Sequence, residues 1–139
     1  MSRWVPHESP GTTSIATTST TDEYIIVKKT GKVTSAGLWS LSGLAAHDSN
    51  YITPTIVNLG AAGSGTAALL AVSDANTTKS TGGAALTANV QRSWTLTSTA
   101  ADLLVTEGDV LRCRATATGT LAAAVTRPIW KVIVKTVQR

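Results

Sequence analysis

The stretch 109–118, DVLRCRATAT, decides the fold class because apolar and polar side chains alternate along it. Leu, Cys and Ala occupy the odd positions from 111 to 117, and Arg and Thr occupy the even positions from 112 to 118. A period of two is typical of a β-strand that buries one face and exposes the other. The stretch 128–137, PIWKVIVKTV, alternates in the same way. We therefore predict that these two stretches are the last two strands of a β protein.

Shorter stretches of similar composition lie upstream and are separated by turn signals rich in Gly, Asn or Asp. Gly37 interrupts one of them and predicts a bulge. Pro54 interrupts another and predicts an edge strand or a bulge, because proline cannot donate a hydrogen bond to a neighbouring strand. No stripe with the helical period extends beyond two turns. The candidate strands are 23–29, 32–41, 51–59, 66–73, 84–88, 91–98 and 103–105, of which 66–73 could also be a short helix.

Eight or nine short strands of this kind indicate an all-β fold, an antiparallel β-sandwich, and a jelly roll of about eight strands fits their spacing best. We expect this β-sandwich domain to cover residues 22–139. Residues 1–21 contain ten Ser and Thr, two of the four prolines and no periodic apolar pattern. This composition predicts an extended N-terminal arm.

The arm contains one large aromatic side chain, Trp4. A tryptophan in such a segment either packs back on its own domain or anchors in a neighbouring molecule, where Trp is a favoured contact residue. We take Arg3, Trp4, Val5 and Pro6 as candidate interface residues. The other three tryptophans are interpreted differently: Trp94 and Trp130 lie on apolar strand faces and are expected in the core, while Trp39 is ambiguous. Both alternatives for Trp4, packing on its own domain and anchoring in a neighbouring molecule, stay open.

Charge is scarce in this chain. Thr, Ser, Ala and Gly make up 68 of the 139 residues, and charged residues make up 14% against a usual share of about 25%. This excludes a highly charged disordered chain, a coiled coil and a Lys- and Glu-rich helical binder of nucleic acid. Lys28, Lys29 and Lys32 form the densest basic group within a net charge of +4. They are either a docking face for an acidic surface or solvated positions on strands, and no nucleic-acid partner is expected.

Few residues could carry chemistry, and no nucleophile elbow or phosphate-binding loop occurs. His7 and His47 each precede an acidic residue and are expected to be exposed in loops. Cys113 lies within a strand pattern and is expected to be a buried, inert thiol. We expect no catalytic, cofactor or metal site. Three acids surround a turn, where they are expected to accept hydrogen bonds from backbone N–H groups: Asp102, Glu107 and Asp109.

Targeting signals are sparse. Residues 1–10 lack the apolar core of a secretory signal, and no stretch approaches the roughly 18 apolar residues of a membrane-spanning helix. We expect no membrane partner. We expect the chain to be synthesised in the cytoplasm.

Three features together resemble the head decoration, or cement, proteins of tailed bacteriophages, which have a jelly-roll-like β domain. They are the Ser-, Thr- and Pro-rich segment 1–21, the run NLGAAGSGTAALLAV at 58–72, and GDVLRCRATATGT…PIWKVIVKT at 108–136. The resemblance covers most of the chain as a layout, without a diagnostic motif. It implies a homotrimer on the capsid surface of the virion, with the arm on the major capsid protein or a neighbouring protomer. It also implies a shell-stabilising role without catalytic residues.

A second function stays open beside that one. Similar Ala-, Thr- and Gly-rich β domains occur in phage head fibres and tail-tip modules, which bind receptors or carbohydrates. For such a module Trp39 is the main candidate, because an exposed tryptophan can stack on a sugar ring. An enzyme ranks last, for want of a convergent acid, base or nucleophile.

Overall fold

The computed structural model describes residues 2–137, which form nine β-strands and two short 3-10 helices. The helices are Asp74–Asn76 and Ala100–Leu103. The strands are β1 Ser2–Glu8, β2 Thr20–Ile26, β3 Gly31–Trp39, β4 Tyr51–Asn58, β5 Ala67–Ala68, β6 Arg92–Ser93, β7 Leu104–Val105, β8 Val110–Thr118 and β9 Ile129–Val137.

The strands form two antiparallel sheets. The first sheet has the order β1-β9-β3-β6, with β7 also paired to β3, and the second has the order β2-β8-β4-β5. Four of the pairs are nested along the chain, β1 with β9, β2 with β8, β3 with β6 and β4 with β5, and within the sheets β9 also pairs with β3 and β8 with β4. A chain folded back on itself in this nested way and wrapped into two facing sheets is a jelly roll. The predicted all-β sandwich is confirmed.

The core lies between the sheets and follows the alternation seen in the sequence. On β8 the odd positions Leu111, Cys113 and Ala115 are buried, and on β9 the even positions Trp130, Val132 and Val134 are buried. Trp94 packs on Trp130 with ring centroids 6.4 Å apart, in a tilted arrangement that aromatic pairs favour. The predicted core positions of Trp94, Trp130 and Cys113 are confirmed.

Two predictions about strand irregularities have different outcomes. The bulge in β3 lies between Val33 and Ser35, where the register with β9 shifts, so the prediction of a bulge at Gly37 is wrong. Gly37 instead allows close packing, because a Cβ there would lie 2.6 Å from the Arg92 carbonyl oxygen. Directly after β4, Leu59 donates its N–H to the carbonyl of Val110 in β8. Residues of the same parity as Leu59 face β8, so the nitrogen of Pro54, which has the opposite parity, is directed away from β8. Within residues 2–137 no strand residue pairs with Pro54 on that side, because β5 pairs only with Val57 and Asn58, so the edge is local to Pro54.

The predicted N-terminal arm is not an arm over the residues that the structure describes. Residues 2–8 form β1, which pairs with β9 along its whole length, and Ile15 is buried and bridged to Val125. The sequence pattern concealed this strand because its inward side chains are not all apolar. His7 occupies a buried position that a hydrophobic residue would usually fill.

A buried carboxylate holds the loop after β1 against the sandwich. Glu23, on β2, accepts a hydrogen bond from the Ser9 hydroxyl at 2.6 Å and from the backbone N–H of Thr12 at 2.9 Å. Gly11 and Thr13 donate through their N–H groups at 3.3 Å. We call Glu23 with residues 9–13 the Glu23 clasp. It replaces the hydration that the carboxylate loses on burial and joins the N-terminal segment to β2.

Candidate binding face on the outer surface of the first sheet

Trp4 lies on the outer surface of the first sheet, and 61% of it is exposed. It is in register with Lys135 of β9, whose Nζ lies 5.2 Å from the centroid of the indole ring. This is the geometry of a cation–π contact. Two positions along β1, Pro6 faces Ile133 across the same strand pair. An aromatic ring therefore lies on this outer surface with few contacts from its own chain.

Two lysines lie on the same surface as this ring. Lys32 of β3 is in register with Lys135, so two like charges face each other across the sheet. Neither forms a salt bridge within residues 2–137. We call the surface formed by Trp4, Pro6, Lys32, Ile133 and Lys135 the Trp4 face. It combines apolar area with uncompensated positive charge, which suits an acidic partner surface.

The structure separates the other predicted interface residues from the Trp4 face. Arg3 and Val5 have the opposite parity to Trp4 in β1, so their side chains point away from this surface. Lys28 and Lys29 are exposed in the turn between β2 and β3, and Lys28 lines a groove with His7 and other residues. Of the predicted residues, Trp4, Pro6 and Lys32 are brought together.

Pro6 also limits how the open edge of β1 can be used. Ser9 donates its N–H to the Trp130 carbonyl at 2.9 Å, so the odd-numbered residues of this segment bond to β9. The nitrogen of Pro6 therefore faces the open edge and offers no donor to an added strand. Such prolines protect edge strands from pairing with other chains. Docking at this end of the molecule is accordingly favoured on the outer face of β1 over its edge.

A shallow cavity of about 280 Å³ lies at the other end of the same outer surface. Glu8 and Lys131 face each other in register there without a salt bridge, and Ile129 pairs with Trp39. The absent side chain of Gly37 leaves room for the Gln91 amide, which a Cβ at that position would approach to 2.8 Å. We call this site the Trp39 groove. Its lining residues are Glu8, Trp39, Gln91, Ile129 and Lys131.

His7 is buried at 2% exposure, so the prediction that it is an exposed loop residue is wrong. Its Nε2 accepts the backbone N–H of Lys28 at 2.9 Å, which requires the proton on Nδ1. Nδ1 then donates to the Val5 carbonyl at 3.1 Å. Burial, together with the charge of Lys28, lowers the pKa of His7 below its ordinary 6.5. The ring joins β1 to the turn after β2 in its neutral form.

The free energy of unfolding is expected to fall as pH drops below about 6.5, because the unfolded chain then takes up a proton that folded His7 excludes. Above that pH this group contributes no pH dependence. Urea unfolding at pH 7.5 and pH 5.5 measures the difference, which should shrink in His7→Gln. An equal pH dependence in the variant would contradict this role for His7.

The other residues considered as candidates for chemistry, Cys113, Asp109 and His47, have structural roles. Burial raises the pKa of the Cys113 thiol, which disfavours the reactive thiolate. Asp109 accepts a hydrogen bond from the Thr106 N–H at 2.8 Å, as predicted for an acid at this turn. Nδ1 of His47, which is exposed as predicted, accepts from the N–H groups of Ser49 and Asn50. Among the described residues, no three His, Cys, Asp or Glu side chains gather to hold a metal ion. No helix in residues 2–137 is long and apolar enough to cross a membrane.

Sequence reasoning missed Glu8, Gln91 and Lys131 as neighbours of Trp39, because long-range strand pairing brings them together. It also missed the buried Glu23, although a signal was present: Glu23 shares its strand parity with Ile25 and Val27, both apolar.

Comparisons with protein-family models, curated proteins and solved structures return no match. The two surface sites are therefore interpreted from their own chemistry.

Proposed function

We propose that this chain is a structural virion protein that binds the outside of a bacteriophage capsid as a decoration protein and stabilises the shell. The observation that carries the proposal is the Trp4 face, an exposed tryptophan held over Lys135 beside Lys32. Large exposed aromatic residues near basic ones are typical of the energetic centre of a protein–protein contact. The partner is the major capsid protein, through an acidic patch on its outer surface.

The N-terminal segment would dock as part of a rigid sheet and not as a flexible arm. A flexible arm would reach into a groove on the shell, whereas β1 presents Trp4 on a rigid sheet. A rigid anchor loses little conformational entropy on binding, which favours affinity. The sandwich would contact the shell through the end of its first sheet that carries the Trp4 face. Association as a homotrimer is part of the proposal, and light scattering of the purified protein tests it.

Replacing Trp4 by alanine is expected to weaken binding to undecorated shells about 30-fold, the loss typical of a central aromatic contact. Co-sedimentation of the purified chain with shells that lack their decoration protein measures this affinity. Binding should also weaken with added salt, because Lys32 and Lys135 are solvent-accessible charges. Deleting residues 1–21 would not be an equivalent test, since it removes β1 and the Glu23 clasp.

Val72→Ala is the matched control, because Val72 is a fully exposed apolar residue in a loop after β5. It should leave shell binding unchanged. Trp4→Ala should keep its free energy of unfolding within about 1 kcal/mol of the parent, as for most surface substitutions. If the folded Trp4→Ala variant decorated shells as well as the parent chain, or if the parent bound no shell, the proposal would be refuted.

A further inference from the structure

The Trp39 groove has a different chemistry from the Trp4 face. The Trp4 face offers positive charge and apolar area, with no carboxylate among its residues. The Trp39 groove instead places an acceptor, Glu8, a donor, Lys131, and an amide with both functions, Gln91, around a half-buried indole ring. A site with donors, acceptors and an aromatic wall recognises a ligand that is itself both apolar and rich in hydroxyl groups.

We propose that the Trp39 groove binds a carbohydrate, with one pyranose ring stacked on Trp39. The C–H face of a pyranose is apolar and packs on an indole, while its hydroxyl groups both donate and accept hydrogen bonds. Glu8 and Gln91 accept from hydroxyl groups, and Lys131 and Gln91 donate to them. A cavity of about 280 Å³ lies just below the range usual for drug-sized ligands, which suits a single sugar ring.

The same residues disfavour other ligands. Glu8 would repel the phosphates of a nucleic acid. The cluster of basic residues that attracts a phosphate backbone is absent from the groove. An amphipathic helix needs an apolar groove several turns long, whereas Ile129 and Trp39 supply one apolar pair in register. The backbone at Gly37 also shapes the groove. Gly37, in register with Lys131, lets the Gln91 side chain pack against the strand, and a larger residue there would displace the Gln91 amide.

The Trp39 groove and the Trp4 face can be occupied together. Trp4 is in register with Lys135, and Trp39 with Ile129, six residues apart on β9. At 3.4 Å per residue the two sites are separated by about 20 Å along the strand. One end of the sheet would therefore hold the shell while the other holds a glycan, and sugar binding does not depend on shell binding.

Saturation-transfer NMR on the full chain tests the proposal with methyl glycosides of glucose, galactose, mannose and N-acetylglucosamine. A single stacked ring corresponds to an affinity of order 1 mM, so sugars at about 10 mM would give a signal. We expect ring-proton signals for at least one sugar, lost in Trp39→Ala and about tenfold weaker in affinity in Gln91→Ala. Gln91 is exposed, so this second variant reports on binding should Trp39→Ala unfold.

Trp4→Ala is the matched control and should retain the sugar signals, since Trp4 lies outside the groove. Absence of signal for all four sugars with the parent chain would overturn the proposal. Signals that persist in folded Trp39→Ala, or that remain at full strength in Gln91→Ala, would overturn it as well. Shell co-sedimentation of the same variants separates the two functions, because Trp39→Ala should still bind shells.

Discussion

Replacing Glu23 by alanine is expected to lower the free energy of unfolding by about 3 to 5 kcal/mol. Glu23 is 5% exposed and is the common acceptor for the Ser9 hydroxyl and three backbone N–H groups in residues 11–13. Alanine would leave these donors without a partner inside the protein, and each such loss costs about 1 kcal/mol or more. Urea unfolding followed by circular dichroism measures the change.

The Ser9 hydroxyl extends this effect into the core, because its oxygen also accepts the N–H of Trp130 at 2.9 Å. Loss of the clasp should therefore loosen β1 as well as the loop that follows it. Limited proteolysis is expected to cut Glu23→Ala between residues 9 and 15 faster than the parent chain. Glu107→Ala, at an exposed turn, is the control and should stay within about 0.5 kcal/mol. A Glu23→Ala variant as stable as this control would contradict the role of the clasp.

Replacing Asn76 by alanine is expected to lower the free energy of unfolding by about 2 to 4 kcal/mol, or the melting temperature by about 10 °C. Asn76 is 2% exposed, and its Nδ2 donates to the carbonyls of Ala71 and Thr95 at 2.9 and 2.8 Å. Its Oδ1 accepts the Thr95 N–H at 2.7 Å. Alanine would leave the Ala71 carbonyl and the Thr95 N–H unpaired, whereas the Thr95 carbonyl would keep only its hydrogen bond from the Ala71 N–H. Differential scanning calorimetry measures the loss.

Ser80→Ala is a suitable control for Asn76, because Ser80 is exposed in the same loop region. Its melting temperature should be unchanged within about 2 °C. Asn76→Asp should be as destabilising as alanine, since a carboxylate would face two carbonyl oxygens and could not donate to them. Equal melting temperatures for Asn76→Asp and the parent chain would show that the side chain does not carry these bonds.

The difference between correct and incorrect predictions follows the kind of side chain involved. Strands β8 and β9 were predicted with the right inward faces, because nearly all of their buried positions hold apolar residues, with Thr136 as the polar exception. Strand β1 was missed because its inward His7 is polar, and its burial depends on hydrogen bonds to Val5 and Lys28. The bulge was misplaced to Gly37 because a glycine in a strand signals either a bulge or close packing, and only the neighbouring strand distinguishes them.

The amino-acid sequence by itself determined that this is an antiparallel β protein with Trp94, Trp130 and Cys113 inside. Alternation with a period of two is a local property, and burial of one strand face follows from it without knowledge of the partner strand. Only the tertiary structure decided that Trp4 lies over Lys135 and that Glu8 shares a groove with Trp39. These residues meet through β1, β3 and β9, and the pairing of strands about 130 residues apart depends on the whole nested fold.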